Sequence, residues 1–130
     1  MIMQRSVAIY CTFTIEGTHN WNGCPHEDVS YLRNEHRHLF NFRVETNVTH
    51  EDRDIEFIRW GHTLRAELVH RYWSEAKSLC EFNSNSCEML ASEMTDIVFN
   101  LYGRDRIVKV QVDEDGENGS IVTTTSINIY

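Results

Sequence analysis

Two histidines stand two positions apart in a segment that alternates between polar and apolar residues. His36 and His38 lie in the run H-R-H-L-F-N-F-R-V-E. Side chains at i and i+2 of a β-strand project from the same face, so the two imidazoles are predicted to lie side by side. A loop is expected to bring His19, from a Gly/Thr/Asn-rich stretch upstream, over the same face. Three imidazoles can hold Zn²⁺ with one position open, so the sequence predicts a zinc site; the alternative is that His36 and His38 are ordinary polar strand residues.

The elements that would position these histidines are expected to form one domain, residues 1–130. The chain is 41% hydrophobic, which is enough for a core. Its net charge of −8 disfavours nucleic acid or an anionic membrane as a partner. No apolar run approaches the ~18 residues of a membrane span, and the first residues lack the apolar core of a secretory leader.

The four cysteines show no C-x-x-C spacing. This argues against a cysteine zinc site or a redox motif. Their even number permits disulfides, but without an export signal reduced thiols in a cytoplasmic protein are expected. The four are Cys11, Cys24, Cys80 and Cys87.

Hydrophobic periodicity predicts two strands and then two helices. Residues 6–16 alternate and predict a half-buried strand, followed by a polar loop over residues 17–34. The histidine strand is predicted over residues 36–47 and a first amphipathic helix over residues 54–79. A second helix is expected to carry one apolar stripe over residues 87–101.

Capping residues and turn signals complete the pattern. Asn85 is predicted to cap the second helix, with Glu88 reaching back as its capping-box partner, and Gly103 suits its C-terminal end. Val108, Val110 and Val112 alternate with polar residues before an acidic, glycine-containing turn, and a last strand is predicted over residues 120–129. The order β-β-α-α-β-β predicts an α+β fold, a four-stranded antiparallel sheet with both helices on one face.

Five motifs in this order resemble the 6-pyruvoyl-tetrahydropterin synthase family, which includes the 6-carboxytetrahydropterin synthases of queuosine biosynthesis. Together they cover most of the chain. The motifs are F-T-I-E-G-T-H at 13–19, H-R-H at 36–38, E-F at 56–57, N-S-C-E-M-L-A at 85–91 and V-D-E-D at 112–115.

The resemblance implies the tunnelling fold (T-fold) and a homo-oligomer, a trimer or a hexamer of two trimers. It also implies that His19, His36 and His38 bind Zn²⁺. The carboxylate of Glu114 would accept two hydrogen bonds from the amino group and ring N–H of a pterin or purine-like ring. The alternative for Glu114 is an ordinary carboxylate at the end of a hairpin.

The chain departs from the family where a catalytic proton relay is expected. Leu32 and Asn34 occupy the region of the family cysteine, and Tyr72 and Trp73 fall where the family has an Asp-His pair. The remaining candidates for a base are Cys24, whose thiol pKa a nearby zinc ion would lower, and a loop histidine, His26. The spacing of Cys24 does not match the family and favours the alternative, that this cysteine is a bystander.

Two further residues are candidates for ligand binding. Arg43 belongs to a group of arginines around the second strand that could hold phosphates, since a guanidinium matches phosphate oxygens bidentately. Surface ion pairs with the many acidic residues are the alternative. Glu88 is a candidate ligand contact as well as a capping residue.

The sequence therefore supports two functions. The first is a zinc-dependent lyase that acts on dihydroneopterin triphosphate or a related compound. The second is a non-catalytic protein that keeps the T-fold pocket and sequesters a nucleotide or purine signal, as some phage-encoded proteins do. The histidines and Glu114 favour the lyase, and the missing Asp-His pair favours the binding protein.

Overall fold

The computed structural model of the protein describes residues 1–126. Within them, two α-helices, six strands and one 3-10 helical segment follow one another along the chain. The strands are β1 (Val7–His19), β2 (His36–Val48), β3 (Trp73–Ser74), β4 (Leu79–Glu81), β5 (Ile107–Glu114) and β6 (Asn118–Thr125); the helices are α1 (Phe57–Tyr72) and α2 (Cys87–Tyr102), and the 3-10 segment is Glu27–Arg33.

The strands form one mixed sheet in the order β3-β4-β1-β2-β5-β6. β1 and β2 are antiparallel over their whole length, with Val7 opposite Val48 and His19 opposite His36. β2 pairs with β5, and β5 with β6, also antiparallel. β4 runs parallel to the end of β1. The α+β class is confirmed, but the prediction of a four-stranded, wholly antiparallel sheet was wrong for the described residues.

The two additional strands replace the end of the predicted first helix. α1 ends at Tyr72, because Trp73 has an extended backbone. The chain then turns through Ser78, whose φ of 53° is left-handed, and β4 returns beside β1. A strand of two or three residues is too short to show a hydrophobic period, so the sequence pattern does not distinguish it from the end of a helix. The prediction of a helix over residues 54–79 therefore extended too far.

A single core lies between one face of the sheet and the two helices. Phe40, Phe42 and Val44 of β2 are buried on the face of the strand that also carries His36 and His38. Side chains from β5, α1 and α2 complete the core, among them Val108, Val110, Val112, Trp60, Leu64, Leu68, Leu90, Met94 and Val98. The histidines lie at one end of this same face of β2.

The caps of α2 were only partly predicted. Ser86, not Asn85, is the N-cap, and its side chain accepts a hydrogen bond from the Met89 N–H at 3.2 Å. Glu88 is therefore one position too early to serve as the capping-box partner. At the other end, Gly103 caps the helix with a φ of 101°, as predicted.

The β5–β6 hairpin turns through two residues in the left-handed region. Asp115 has a φ of 58° and Gly116 a φ of 75°, and the Glu117 N–H donates to the Glu114 carbonyl at 3.0 Å. β6 begins at Asn118, two residues before the predicted start. The predicted end of this strand, residues 127–129, lies outside the described residues. None of the helices in residues 1–126 is long and apolar enough to span a membrane.

Gly119→Ala is expected to destabilise the hairpin by about 2–3 kcal/mol. A Cβ at this position would lie 2.2 Å from the Val112 carbonyl oxygen and 2.6 Å from the Cα of Asp113. These are backbone atoms of the paired strand, so they cannot rotate away. Urea unfolding should show the loss, whereas Gly23→Ala is the control because a Cβ there meets nothing within 4 Å. Equal stability of the two variants would contradict the described hairpin packing.

Candidate metal centre and adjoining cavity

Three imidazoles meet where β1 ends and β2 begins. His19 is the last residue of β1 and pairs directly with His36, the first residue of β2. His38 is on the same face of β2, two residues further along. One nitrogen from each ring lies within 4.8 Å of the others. His19 arrives here as a strand residue, not from a loop as the sequence suggested, and the expected meeting of the three rings is observed.

The Nδ1 atom of each ring has a hydrogen-bond acceptor beside it. His19 Nδ1 lies 2.9 Å from the Asn85 carbonyl oxygen, and His36 Nδ1 lies 2.8 Å from the Asn34 carbonyl oxygen. His38 Nδ1 lies 2.7 Å from Oδ2 of Asp115. Carbonyl and carboxylate oxygens can only accept, so each Nδ1 carries the proton and donates. In a neutral ring, this leaves Nε2 as the nitrogen with a free lone pair.

Two of these Nε2 atoms are buried without a hydrogen-bond partner in the described residues. His36 Nε2 and His38 Nε2 are inaccessible to solvent and have no hydrogen bond within the described part of the chain. Leaving a buried polar nitrogen unpaired costs about 1–3 kcal/mol, so such atoms call for an explanation. Metal-bound histidines characteristically donate their other ring N–H to a carbonyl or carboxylate. The donor set therefore fits a divalent metal such as Zn²⁺, with Nε2 of His19, His36 and His38 as ligands.

Glu114 stands next to this cluster at the end of β5. Its Oε1 is 2.9 Å from His19 Nε2 and its Oε2 is 3.4 Å from His38 Nε2, and its side chain is 28% exposed. The Cys87 thiol donates to Oε1 across 3.7 Å. Burial, with a further contribution from the Glu114 charge, raises the pKa of Cys87 to about 12, so this cysteine is a neutral thiol. Glu114 thus directly contacts the histidines, a contact that neither interpretation of this residue, as a ring anchor or as an ordinary hairpin carboxylate, had included.

The contact between Glu114 and His19 shifts both pKa values. The hydrogen bond from His19 lowers the pKa of Glu114, and burial opposes this only in part. Burial lowers the pKa of His19, but the hydrogen bonds to Glu114 and to the Asn85 carbonyl, with the charge of Glu114, raise it above its ordinary value. Without metal, the pair therefore favours a charged imidazole beside a carboxylate.

In metal-free protein, this pair is expected to stabilise the fold most between about pH 4.5 and 6.5, the ordinary pKa values of the two groups. The contribution of His19, whose pKa is raised, is complete below 6.5 and is lost as the pH rises through its folded value. The contribution of Glu114, whose pKa is lowered, is complete above 4.5 and is lost as the pH falls through its folded value. Urea unfolding of EDTA-treated protein at several pH values, compared with Glu114→Gln, measures this. If the variant shows the same decline above pH 6.5, the pair is not its source.

A cavity of about 560 Å³ opens beside the cluster. This volume lies within the range of small-molecule sites, roughly 300–1,000 Å³. Its polar lining includes two of the three histidines together with Glu114 and Glu88, and its apolar lining includes two residues of the long loop. Its lining residues include His19, His36, Glu88, Glu114, Trp21, Leu32, Cys87 and Met89.

Three candidates from the sequence lie away from this cavity. Arg43 is on the opposite face of β2, since it is an odd number of positions from His36 and His38; it pairs with Glu45 at 3.1 Å and covers the Tyr10 ring. Its predicted role in ligand binding is therefore not supported by its position.

The two candidate bases, Cys24 and His26, are held within the loop itself. The Cys24 thiol is buried and donates to the carbonyl oxygens of His26 and Val29, both at 3.7 Å. The exposed His26 ring packs edge-on against Trp21. Neither residue is among those that line the cavity. A group that abstracts a proton must reach it directly or through one water, so this placement argues against both as bases.

Sequence reasoning missed the residues that orient the histidines. Asp115 accepts from the Leu39 N–H at 2.8 Å as well as from His38, so one carboxylate fixes both a strand and a ring. Its position before Gly116 indicated a turn and nothing more. The Asn85 and Asn34 contacts use backbone carbonyls, which any residue provides, so no sequence signal could have identified them.

Comparison with known proteins leaves the family open. No family model matches the chain. A stretch that covers 59% of the chain is 33% identical to the kinesin-like protein KIN-7G of Arabidopsis thaliana. The chain covers 8% of that protein. So small a part of the relative does not carry its designation over to this chain.

Proposed function

We propose that this chain is a zinc-binding protein of the T-fold type that recognises a pterin or purine-like ring. In this proposal it resembles the 6-pyruvoyl- and 6-carboxytetrahydropterin synthases and acts as a lyase on dihydroneopterin triphosphate or a related compound. The observation that carries the proposal is the set of three imidazoles whose Nδ1 atoms are engaged and which bring one nitrogen each within 4.8 Å of the others, beside a cavity that His19 and His36 line.

The arrangement of the long elements supports the T-fold. The four long strands and the two helices follow the order β1-β2-α1-α2-β5-β6, and both helices contribute to the core on one face of the sheet. The short strands β3 and β4 would be additions to that plan. The exposed sheet edges at β3 and β6 favour assembly into a trimer or hexamer, because unpaired edges need covering.

Zinc bound by the three histidines would supply a Lewis acid that stabilises negative charge on a substrate oxygen. The chain's own residues would do the rest. Glu114 would accept hydrogen bonds from the amino and ring N–H groups of the heterocycle, and the Cys87 thiol would hold the carboxylate in place. Trp21, Leu32 and Met89 would provide the apolar walls that exclude water around a flat ring.

A second candidate function is sequestration without turnover. Tyr72 and Leu32 stand in the regions where the family has its relay groups, and neither supplies one. The Tyr72 hydroxyl donates to Glu93 and is not among the residues lining the cavity, and Leu32 is apolar. This favours a cytoplasmic protein that binds a nucleotide or purine signal in the same pocket.

Metal analysis followed by a turnover assay separates the two functions. Purified protein should contain about one zinc per chain. Conversion of dihydroneopterin triphosphate, lost on chelation and restored by zinc, would support the lyase. Zinc without conversion, combined with tight retention of a purine nucleotide, would support sequestration and exclude the lyase. Protein that folds but binds no zinc would refute both.

Asp115→Asn is expected to lower zinc affinity about 10- to 100-fold. Asparagine tolerates the left-handed backbone of this position, so the turn should survive. Its single amide oxygen cannot replace both carboxylate oxygens, which accept from the Leu39 N–H and from His38 Nδ1. With that oxygen on Leu39, the NH₂ faces Nδ1 and the ring would favour the tautomer with Nε2 protonated and unable to bind metal. Competition with a zinc chelator measures the change, and Glu117→Gln in the same turn is the control. Equal affinity of both variants would show that Asp115 does not orient His38.

A further inference from the structure

The backbone carbonyl that accepts the Nδ1 proton of His19 belongs to the last residue of a tight turn. The turn runs from Phe82 to Asn85, and the Asn85 N–H closes it by donating to the Phe82 carbonyl at 3.1 Å. The Asn85 carbonyl in turn accepts from His19 Nδ1 at 2.9 Å. Because the peptide group is planar, the direction of this carbonyl follows the backbone of Asn85. Contacts that fix Asn85 therefore also fix the His19 ring.

The Asn85 side chain is held by two acceptors. Its Nδ2 donates to the Phe82 carbonyl at 2.8 Å and to the hydroxyl oxygen of Tyr72 at 3.4 Å. Tyr72 is the last residue of α1, and its ring packs against Phe82 with 5.2 Å between the ring centroids. The first hydrogen bond stays within the turn, whereas the bond to Tyr72 connects the turn to a helix.

The Tyr72 hydroxyl is itself oriented by Glu93 of α2. It donates its proton to the Glu93 carboxylate, whose other oxygen pairs with Arg71 at 3.0 Å. A phenol has one proton, so with that proton on Glu93 the oxygen offers only lone pairs to the Asn85 amide. Burial, and then Glu93, raise the pKa of Tyr72 to about 12, so the phenol stays protonated at neutral pH. His19, Asn85 and Tyr72 thus each donate to the next group, and the series ends on a carboxylate.

We infer that Tyr72 is a positioning residue of the metal centre, which holds Asn85 so that its carbonyl stays directed at His19 Nδ1. The inference rests on the metal site of the proposed function. Tyr72 is not among the residues that line the cavity, so it acts on the centre through Asn85 and not on a ligand directly. An acceptor at Nδ1 fixes the tautomer and the orientation of a metal-binding imidazole and raises its basicity. Loss of the Tyr72 hydroxyl would leave this acceptor less firmly held.

Tyr72→Phe removes the hydroxyl and keeps the ring against Phe82, while Glu93 keeps its ion pair with Arg71. Zinc affinity, measured by competition with a chelator, should fall about threefold to tenfold, less than the 10- to 100-fold effect of losing a group that contacts a ligand directly. In zinc-loaded protein, the Nδ1–H signal of His19 in the proton NMR spectrum should exchange with water faster than in the wild type. Unchanged zinc affinity together with unchanged exchange would overturn the inference.

Two controls separate positioning from a general loss of stability. The Nδ1–H groups of His36 and His38 have acceptors other than Asn85, so their exchange should not change in Tyr72→Phe. Tyr102→Phe is the matched variant, because Tyr102 lies at the other end of α2 with its ring edge-on against Trp60. It should leave the zinc affinity unchanged. Equal acceleration of exchange at all three histidines would mean that Tyr72 only stabilises the fold, and would overturn the inference.

Asn85→Ala provides a second test, since alanine keeps the backbone carbonyl and loses the side chain that Tyr72 holds. It should lower zinc affinity at least as much as Tyr72→Phe does. The double variant should bind zinc no more weakly than Asn85→Ala alone, because the contact is already lost. Additive losses, or wild-type zinc affinity in Asn85→Ala, would overturn the inference and leave the three-histidine site standing. Wild-type protein that folds but binds no zinc would refute the proposed function as well.

Discussion

His36→Ala is expected to reduce zinc affinity by more than about 100-fold, since loss of a direct ligand should exceed the 10- to 100-fold effect of losing a residue that only orients one. His36 is at the start of β2, partly exposed and outside the hydrophobic core, so its removal should leave the fold intact. Elemental analysis after dialysis would show metal in the wild type and almost none in the variant.

His26→Ala is the matched control for this experiment. His26 is an exposed histidine of the neighbouring loop that does not line the cavity. Its loss should leave the zinc content unchanged. If His26→Ala releases the metal and His36→Ala retains it, the assignment of the ligands is wrong.

Phe40→Ala should destabilise the fold by about 3–5 kcal/mol. Phe40 is fully buried between the core and the metal centre. Its ring packs edge-on against Phe82 at 5.0 Å, and also against His19 at 5.0 Å and His38 at 5.7 Å. Truncation would leave a cavity under two of the imidazoles, so zinc binding should weaken together with stability. Urea unfolding and zinc titration of the same variant measure both effects.

Leu39→Ala tests the same strand on its other face. Leu39 is 42% exposed, so its truncation should cost no more than about 0.5 kcal/mol. Comparison of the two variants thus distinguishes the core face of β2, which carries Phe40, from its outer face, which carries Leu39. Similar losses at both positions would mean that the described orientation of β2 is wrong.

The long elements could be predicted because burial imposes a period on the sequence. β1 alternates from Val7 to Gly17 and β2 from His36 to Asn47, and the apolar stripe of α2 repeats every three or four residues. β3 and β4 are too short to show any period. They exist because Leu79 and Cys80 bury their side chains where β4 runs beside the end of β1, a tertiary contact that local pattern does not contain.

The candidate site was predictable where it depends on the same alternation. That rule correctly placed His36 and His38 on one face and Arg37 on the other. Arg43 follows Arg37 by six positions, so the rule also places it on the outer face; its selection as a ligand contact followed its charge and not its position. Cys24 and His26 belong to a loop, whose folding depends on individual hydrogen bonds such as Arg33 Nε to the Cys24 carbonyl at 2.9 Å.

The direct pairing of His19 with His36 makes the centre sensitive to chain length. One residue inserted in β1 just before His19, and not absorbed as a bulge, would turn that imidazole to the outer face of the sheet while every ligand remained in the sequence. An insertion in the loop over residues 20–35 would leave the paired strands in register. Homologues that keep the metal centre should therefore vary in the length of that loop and conserve the number of residues in both strands.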